Sequence, residues 1–221
     1  MINGKSIELI SVVADVAYMG PTLKAIRKSL SVWNKFDDVK IICPPKAHTD
    51  HEFTNFFADF TFENYSEFMV KELHECVNSD FCICMQWDSC IIDASKWTDV
   101  YLECDYIGAP WQNNWANRVG CGGFSWRSQK LLKESAKLDY IKTDNFILNN
   151  EDVVICAINY GRMLSAGIKF APLSLARQFC VERPIAEALH DYDDIKTYNS
   201  FAFHGQFNNG GVAFINDTRD T

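Results

Sequence analysis

Carboxylates stand at two places in the sequence where they could do chemistry. Asp88 closes the segment FCICMQWD, which begins with five apolar residues, and Glu151 and Asp152 begin a segment with helical spacing. A carboxylate after a buried strand can hold a divalent cation, and one in the first turn of a helix can accept a proton from an attacking hydroxyl. Both positions also have a structural explanation, because aspartate is common in turns and acidic residues stabilise helix N-termini.

The electrostatic field of the helix dipole affects whether Glu151 and Asp152 could act as a base or only cap the helix. It would keep the pKa of both carboxyl groups low, so that they stay ionised. The pair therefore indicates a general base, with helix capping as the alternative.

A late histidine and two adjacent glycines are the other candidates. His204 lies in the segment FAFHG, and imidazole suits Mn²⁺ better than Mg²⁺, so His204 is a candidate second ligand beside Asp88. The alternative is a core or capping histidine. Gly122 and Gly123 allow the backbone to approach a ligand closely and could form a wall against a sugar, or a tight turn before the next helix.

Composition excludes several classes of protein. The chain has 221 residues and a formal charge of −8, with no cluster of lysine and arginine, which argues against nucleic acid as a main partner. The nine cysteines form no C-x-x-C pairs, which favours free thiols over disulfides or a zinc site. The N-terminal apolar run is too short for a signal peptide, and no stretch approaches the roughly 18 apolar residues of a membrane helix. We therefore expect a cytoplasmic protein, peripheral to a membrane if its acceptor is lipid-linked.

The order of elements predicts how these residues are positioned. Strands are expected at 6–14, 39–43, 60–62 and 81–86, with helices through residue 32 and from Ser66 onwards. This alternation is typical of a mostly parallel α/β sheet flanked by helices. Helices at 129–137 and 151–164, and short strands in GIKFAP, RQFCVE and FAFHGQF, form a mixed second half. We expect one domain, with residues 1–90 as a nucleotide-binding half and 91–221 as a donor-sugar and acceptor half.

Several motifs together carry a family resemblance. The segments QWDS, DYIGAPW, GCGGFSWRS, NNEDV, GIKFAP and FAFHG, in this order over about residues 80–205, resemble the DUF5672 domain family, to which glycosyltransferase activity is ascribed. Their order is also similar to that of β-1,4-galactosyltransferases. The QWDS segment resembles the aspartate motif of GT-A glycosyltransferases, although Gln86 replaces the usual first aspartate. Cys121 likewise stands where the DUF5672 family commonly has asparagine.

The resemblance implies a GT-A-like, Rossmann-like fold whose mixed second half completes a cleft. It implies a hexosyltransferase-like enzyme that moves a sugar from a nucleotide-sugar to a glycan or other acceptor hydroxyl, with inversion at the sugar carbon. A UDP-sugar is the favoured donor, and Mn²⁺ or Mg²⁺ assists the reaction. The implied metal ligands are Asp88 and His204, the implied base is Asp152, and Glu151 orients the acceptor. The implied donor-binding residues are Val13, Asp15, Lys71, Gln86, Trp87, Asp88, Gly122 and Gly123. The alternative for Lys71 is that it is a solvated lysine on a helix surface and binds no ligand.

Two other functions remain open from the sequence. A sugar nucleotidyltransferase would share the nucleotide-binding half, but that class commonly carries a basic, glycine-rich loop after the first strand. The segment VVADVAYMGP has no such loop. A carbohydrate-binding or assembly module that has lost catalysis is the second alternative, and Gln86 and Cys121 are the residues that favour it.

Overall fold

A six-stranded sheet forms the centre of the molecule in the computed structural model, which describes residues 1–113 and 115–217. Its strands in chain order are β1 (Ile7–Val12), β2 (Asp38–Cys43), β3 (Thr54–Phe57), β4 (Phe81–Met85), β6 (Tyr106–Gly108) and β7 (Phe124–Ser128). The spatial order is β3-β2-β1-β4-β7-β6. The first four are parallel, whereas β7 runs antiparallel to both β4 and β6.

A second sheet of three short strands lies beside the first. It consists of β5 (Ser89–Ile91), β8 (Cys180–Val181) and β9 (Ala202–His204), in the order β5-β9-β8. Ser89 pairs with His204 across the antiparallel β5 and β9. This register places the turn that carries Asp88 against the end of β9, although Asp88 and His204 are 116 positions apart in the chain.

Eight α-helices are present among the described residues. They are α1 (Met19–Val32), α2 (Tyr65–Lys71), α3 (Leu73–Cys76), α4 (Gln129–Ser135), α5 (Glu151–Val153), α6 (Tyr160–Ser165), α7 (Leu173–Phe179) and α8 (Asn209–Asn216). Within the described residues, no helix has the length and apolar character needed to cross a membrane.

The central strands are buried on both faces, as their apolar runs predict. All five residues of β4 are buried, and β1 is exposed only in part at Val12. One side of the sheet packs with α1 in a cluster that includes Trp33, Trp126 and Phe201. The indole of Trp126 is fully buried in this cluster, so it belongs to the hydrophobic core.

Three predicted elements differ in the structure. The third strand is Thr54–Phe57, not 60–62. All four of its residues are exposed at the edge of the sheet, so its sequence lacks the continuous apolar run that marks a buried strand. The segment RQFCVE ends α7 and contributes only two residues to β8. The segment GIKFAP forms a single bridge between Phe170 and Tyr106 instead of a strand.

The helix predicted at 151–164 is present but irregular. After α5, residues Val154–Ile158 form a π-helical turn, and α6 then continues to Ser165. The Asn159 amide and side chain both donate to the Val154 carbonyl, at 3.1 and 2.9 Å. Such π-bulges occur often near functional sites, and this one lies directly after Glu151 and Asp152.

Candidate active site

A cleft of about 800 Å³ opens at the carboxyl ends of β1 and β4. Val13 contributes to one wall from the end of β1, and Gln86 and Trp87 contribute from the end of β4, while Asp152 faces them from α5. Ligands of open parallel sheets bind at this edge, and the volume lies in the usual range for small-molecule sites. The cleft is therefore the candidate site.

An aromatic pair stands on the wall formed by the ends of β1 and β4. The rings of Tyr18 and Trp87 are 5.7 Å apart, inclined by 33°, and both line the cleft. Tyr18 follows a turn in which the Asp15 carboxylate accepts a hydrogen bond from the Ala17 amide at 2.9 Å. Asp15 itself does not line the cleft, because it caps this turn.

The QWDS segment forms a turn whose side chains converge on His204. The Nε2 atom of His204 lies 3.2 Å from Gln86 Oε1 and 3.5 Å from Asp88 Oδ1. The other oxygen of Asp88 accepts from the Gln206 amide at 3.0 Å. Asp88 does not line the cleft; it is 8% exposed and lies behind Gln86 and His204.

Three donor atoms here fit a divalent cation. Asp88 Oδ1 is buried and has no hydrogen-bond partner among the described residues. Two oxygens and one imidazole nitrogen form a set suited to Mn²⁺ or Mg²⁺, whose octahedral ligands stand about 3 Å apart. The donor types of Gln86, Asp88 and His204 thus suit such an ion, and the two distances from His204 Nε2 are close to this spacing.

The opposite edge of the same imidazole has different neighbours. His204 Nδ1 lies 3.3 Å from Cys121 Sγ and 3.6 Å from Glu182 Oε1. Glu182 directly follows β8, which runs parallel to β9, so the register carries its carboxylate alongside His204.

The glycine pair makes room for functional side chains. A Cβ atom at Gly123 would overlap the His204 ring, and one at Gly122 would overlap the Glu151 carboxylate. Only a residue without a side chain allows these close approaches. Gly123 lines the cleft, whereas Gly122 supports Glu151 and Asp152 from behind.

The two acidic residues of α5 have separate partners. Glu151 accepts from Nη2 of the fully buried Arg127 at 3.1 Å. Asp152 accepts from the Gly122 amide at 2.9 Å, and both carboxylates line the cleft. Asn150 occupies the N-cap position without a side-chain cap bond.

Comparison with known proteins identifies the family of this chain. A family model described as a protein of unknown function, DUF5672, matches residues 50–204. The chain belongs to the DUF5672 family. No match was found among curated proteins.

Solved structures show the fold of this DUF5672 chain. The galactosyltransferase LgtC, in complex with donor and acceptor sugar analogs, superposes with a TM-score of 0.51 at 11% identity, covering 95% of this chain and 94% of that chain. An active-site mutant of LgtC gives a TM-score of 0.50 at 10% identity, covering 90% and 87%. The DUF5672 chain therefore has a GT-A-like α/β fold.

Burial changes the ionisation of Asp152 in this DUF5672 site. Burial and the neighbouring Glu151 raise the pKa of Asp152 to about 7. The prediction that the helix field holds this pKa low is wrong, because desolvation outweighs a dipole from only three helical residues before the π-turn. A carboxylate with a pKa near neutrality suits general-base chemistry.

The groups around His204 favour the protonated form of its imidazole. Burial alone would lower its pKa, but its neighbours raise the pKa well above the usual value. Since burial raises the pKa of Cys121 to about 12, that thiol is uncharged at neutral pH. The carboxylates of Asp88 and Glu182 therefore supply the charge that stabilises the imidazolium.

Most of the predicted site residues line the cleft of the DUF5672 structure or lie directly behind its lining. Asp15 and Lys71 are the two exceptions. Lys71 is not at the cleft; its Nζ donates to the Leu138 carbonyl at 2.7 Å, since the end of α2 faces the segment after α4. Sequence reasoning missed Glu182, although its position directly after a strand resembles that of Asp88. Arg183 also lines the cleft, although no motif in the sequence marks it as more than one of several basic candidates.

Proposed function

We propose that this chain is a glycosyltransferase that moves a sugar from a nucleotide-diphosphate sugar to an acceptor hydroxyl. The observation that carries the proposal is the convergence of Gln86, Trp87, Asp152 and His204 on one cleft at the carboxyl ends of β1 and β4. The GT-A-like fold supports this assignment. A UDP-sugar is the first donor to test.

The donor side of the cleft has groups for each part of a nucleotide-sugar. Tyr18 and Trp87 offer aromatic faces on which a base can stack. Arg183, whose guanidinium lies 4.4 Å over the Phe207 ring, is the one arginine or lysine that lines the described part of the cleft. It is placed to bind phosphate oxygens.

A divalent cation would be held by Gln86, Asp88 and His204. When bound, it would neutralise the charge that develops on the leaving diphosphate. With a net charge of −8, the protein as a whole repels a diphosphate, so local positive charge is required.

Asp152 has the position and pKa of the base. Its carboxylate lines the cleft while the Gly122 amide holds it in place, and it would accept the proton of the acceptor hydroxyl. The hydroxyl oxygen then attacks the anomeric carbon as the bond to the diphosphate breaks, so we expect inversion of configuration. Glu151 would orient the acceptor. Its ion pair with Arg127 partly neutralises the negative charge that Glu151 places beside Asp152.

The decisive experiment is a donor screen that measures nucleotide release with Mn²⁺ or Mg²⁺ present. We expect release from at least one nucleotide-sugar, and we expect Asp152→Asn to lose transfer while it still binds nucleotide. The exposed Asp59→Asn variant is the matched control and should keep full activity. Normal transfer by Asp152→Asn would show that the base is misassigned.

Two alternatives make different predictions in this screen. A sugar nucleotidyltransferase would consume a nucleoside triphosphate and a sugar phosphate, yet the segment that follows β1 in the cleft, Val13–Tyr18, contains no glycine, lysine or arginine. A non-catalytic module would bind sugar or nucleotide without release of product. No binding of any nucleotide, with or without metal, would overturn the transferase proposal.

A further inference from the structure

The two nitrogens of His204 face two chemically distinct sets of donors. Nε2 faces the oxygens of Gln86 and Asp88, at 3.2 and 3.5 Å. Nδ1 faces the sulfur of Cys121 at 3.3 Å and the carboxylate of Glu182 at 3.6 Å. The oxygen set belongs to the function proposed above, whereas the sulfur-containing set has no part in it.

Cys121, Glu182 and His204 have the spacing of metal ligands. One donor atom from each lies within 4.8 Å of the others. In a tetrahedral zinc site, bond lengths of about 2.0–2.3 Å place neighbouring ligand atoms about 3.3–3.6 Å apart. The distances from Nδ1 to the sulfur and to the carboxylate fall in this range.

The donor types select the ion. A thiolate with an imidazole and a carboxylate favours Zn²⁺, whereas Mg²⁺ and Mn²⁺ prefer oxygen-rich sets. All three side chains line the cleft, so a fourth position can be filled by water or by a ligand. In the described part of the chain, this is the one group of three such residues close enough to share an ion.

We propose that Cys121, Glu182 and His204 form a binding site for a thiophilic divalent cation such as Zn²⁺, and that its occupation excludes the cation held through Nε2. The zinc site itself rests on these three side chains alone. The exclusion rests, in addition, on the proposed function.

Exclusion follows from the chemistry of a shared imidazole. A neutral imidazole has one nitrogen with a lone pair, and the other nitrogen carries the proton. A cation at Nδ1 therefore leaves Nε2 as an N–H group, which cannot coordinate a second ion. The thiol proton of Cys121 leaves to solvent as the metal–sulfur bond forms.

The zinc site can be tested without any assay of transfer. We would titrate the full chain with Co²⁺, a spectroscopic substitute for Zn²⁺, and record the near-ultraviolet thiolate-to-cobalt charge-transfer band. We expect the band with one equivalent of Co²⁺, and we expect Zn²⁺ to abolish it by displacement. Absence of the band in the wild-type protein would overturn the proposal.

Variants assign the ligands. Cys121→Ser should remove the band and weaken Zn²⁺ binding by more than about tenfold, and Glu182→Gln should weaken binding if Cys121→Ser fails to fold. Cys104→Ser is the matched control and should leave the band unchanged. Cys104 lies away from the cleft and, at 8%, is the most exposed cysteine in the described chain. A band that survives Cys121→Ser would contradict the assignment.

A competition experiment then tests the exclusion. Electron paramagnetic resonance of Mn²⁺ should show that one equivalent of Zn²⁺ releases bound Mn²⁺ from the wild-type protein but not from Cys121→Ser. If Mn²⁺ remains bound beside Zn²⁺, the exclusion is wrong although the zinc site stands. If Mn²⁺ never binds, the oxygen site of the proposed function is wrong, and the Co²⁺ band still decides the zinc site.

Discussion

Asp152 shows how burial sets the chemistry of one carboxylate. It belongs to the first turn of a helix, where a low pKa is the ordinary expectation. The loss of water on burial, and then the neighbouring Glu151, instead raise its pKa to about 7. The Gly122 amide partly offsets this effect by donating a hydrogen bond to the carboxylate. The result is a carboxyl group that changes its charge near neutral pH.

The raised pKa predicts a pH dependence of stability. Between the unfolded pKa of about 4 and the folded pKa of about 7, the folded chain holds the Asp152 proton more tightly, so the free energy of unfolding should fall as pH rises. At about 1.4 kcal/mol per pKa unit, the loss over this window is up to about 4 kcal/mol. Urea unfolding of Asp152→Asn between pH 4 and pH 8 should lack this fall, while Asp59→Asn should retain it. Identical pH profiles for wild type and Asp152→Asn would contradict the assignment.

The same ionisation predicts a pH dependence of rate. A base must be unprotonated, so single-turnover transfer should rise with pH up to about 7 and then level off. Rates measured with saturating donor over this range check the prediction. A rate that is constant from pH 5 to pH 8 would assign the base elsewhere.

At the scale of elements, a buried ion pair joins β7 to α5. Arg127 is fully buried and donates to Ser125 Oγ at 2.9 Å as well as to Glu151. This pair links the strand after the glycine segment to the helix that carries the proposed base. Removal of either partner leaves an uncompensated buried charge, which is more costly than the loss of the whole pair.

A double-mutant cycle tests this link. Arg127→Met alone should destabilise the fold by about 3–5 kcal/mol, because Glu151 stays buried without a partner. The double variant Arg127→Met/Glu151→Gln should be more stable than the sum of the single effects by about 0.5–3 kcal/mol. Urea unfolding measures all four proteins. Additive effects would show that the two side chains are not energetically coupled.

At the scale of the whole molecule, the cleft takes side chains from positions far apart in the chain. Val13 and Gln86 come from the first 90 residues, while Asp152, Glu182 and His204 come from the remainder. The central sheet also spans this division, since β7 pairs with β4. A ligand that bridges the cleft should therefore stabilise the entire fold.

Ligand linkage makes this expectation measurable. UDP with Mn²⁺ at a hundredfold excess over Kd should add about 2.7 kcal/mol of stability, which raises the Tm of a domain of this size by about 5–10 °C. EDTA should remove most of the shift, and Asp88→Asn should lose its metal-dependent part. Asp59→Asn provides the control. An equal shift in Asp88→Asn and wild type would remove Asp88 from the cation site.

Much of the fold follows from local pattern. Apolar runs at β1, β2 and β4, separated by helical spacing, determine a parallel sheet, because strands buried on both faces carry continuous apolar sequence. They also determine that Gln86 and Trp87 stand at the edge where ligands bind. The edge strand β3 escaped prediction because its exposed residues carry no such signal.

Other properties were decided only by tertiary structure. Cys121 and Glu182 become candidate metal ligands only because the fold brings them next to His204. The pairing of β8 with β9 places Glu182 there, and no spacing along the chain predicts either contact. The pKa of Asp152 depends on how much water the folded cleft removes from its carboxylate, which helix position alone does not specify. Lys71 had a plausible place in the sequence but faces Leu138 in the fold. Local patterns thus specify which residues end strands and begin helices, whereas burial and long-range pairing specify their chemistry.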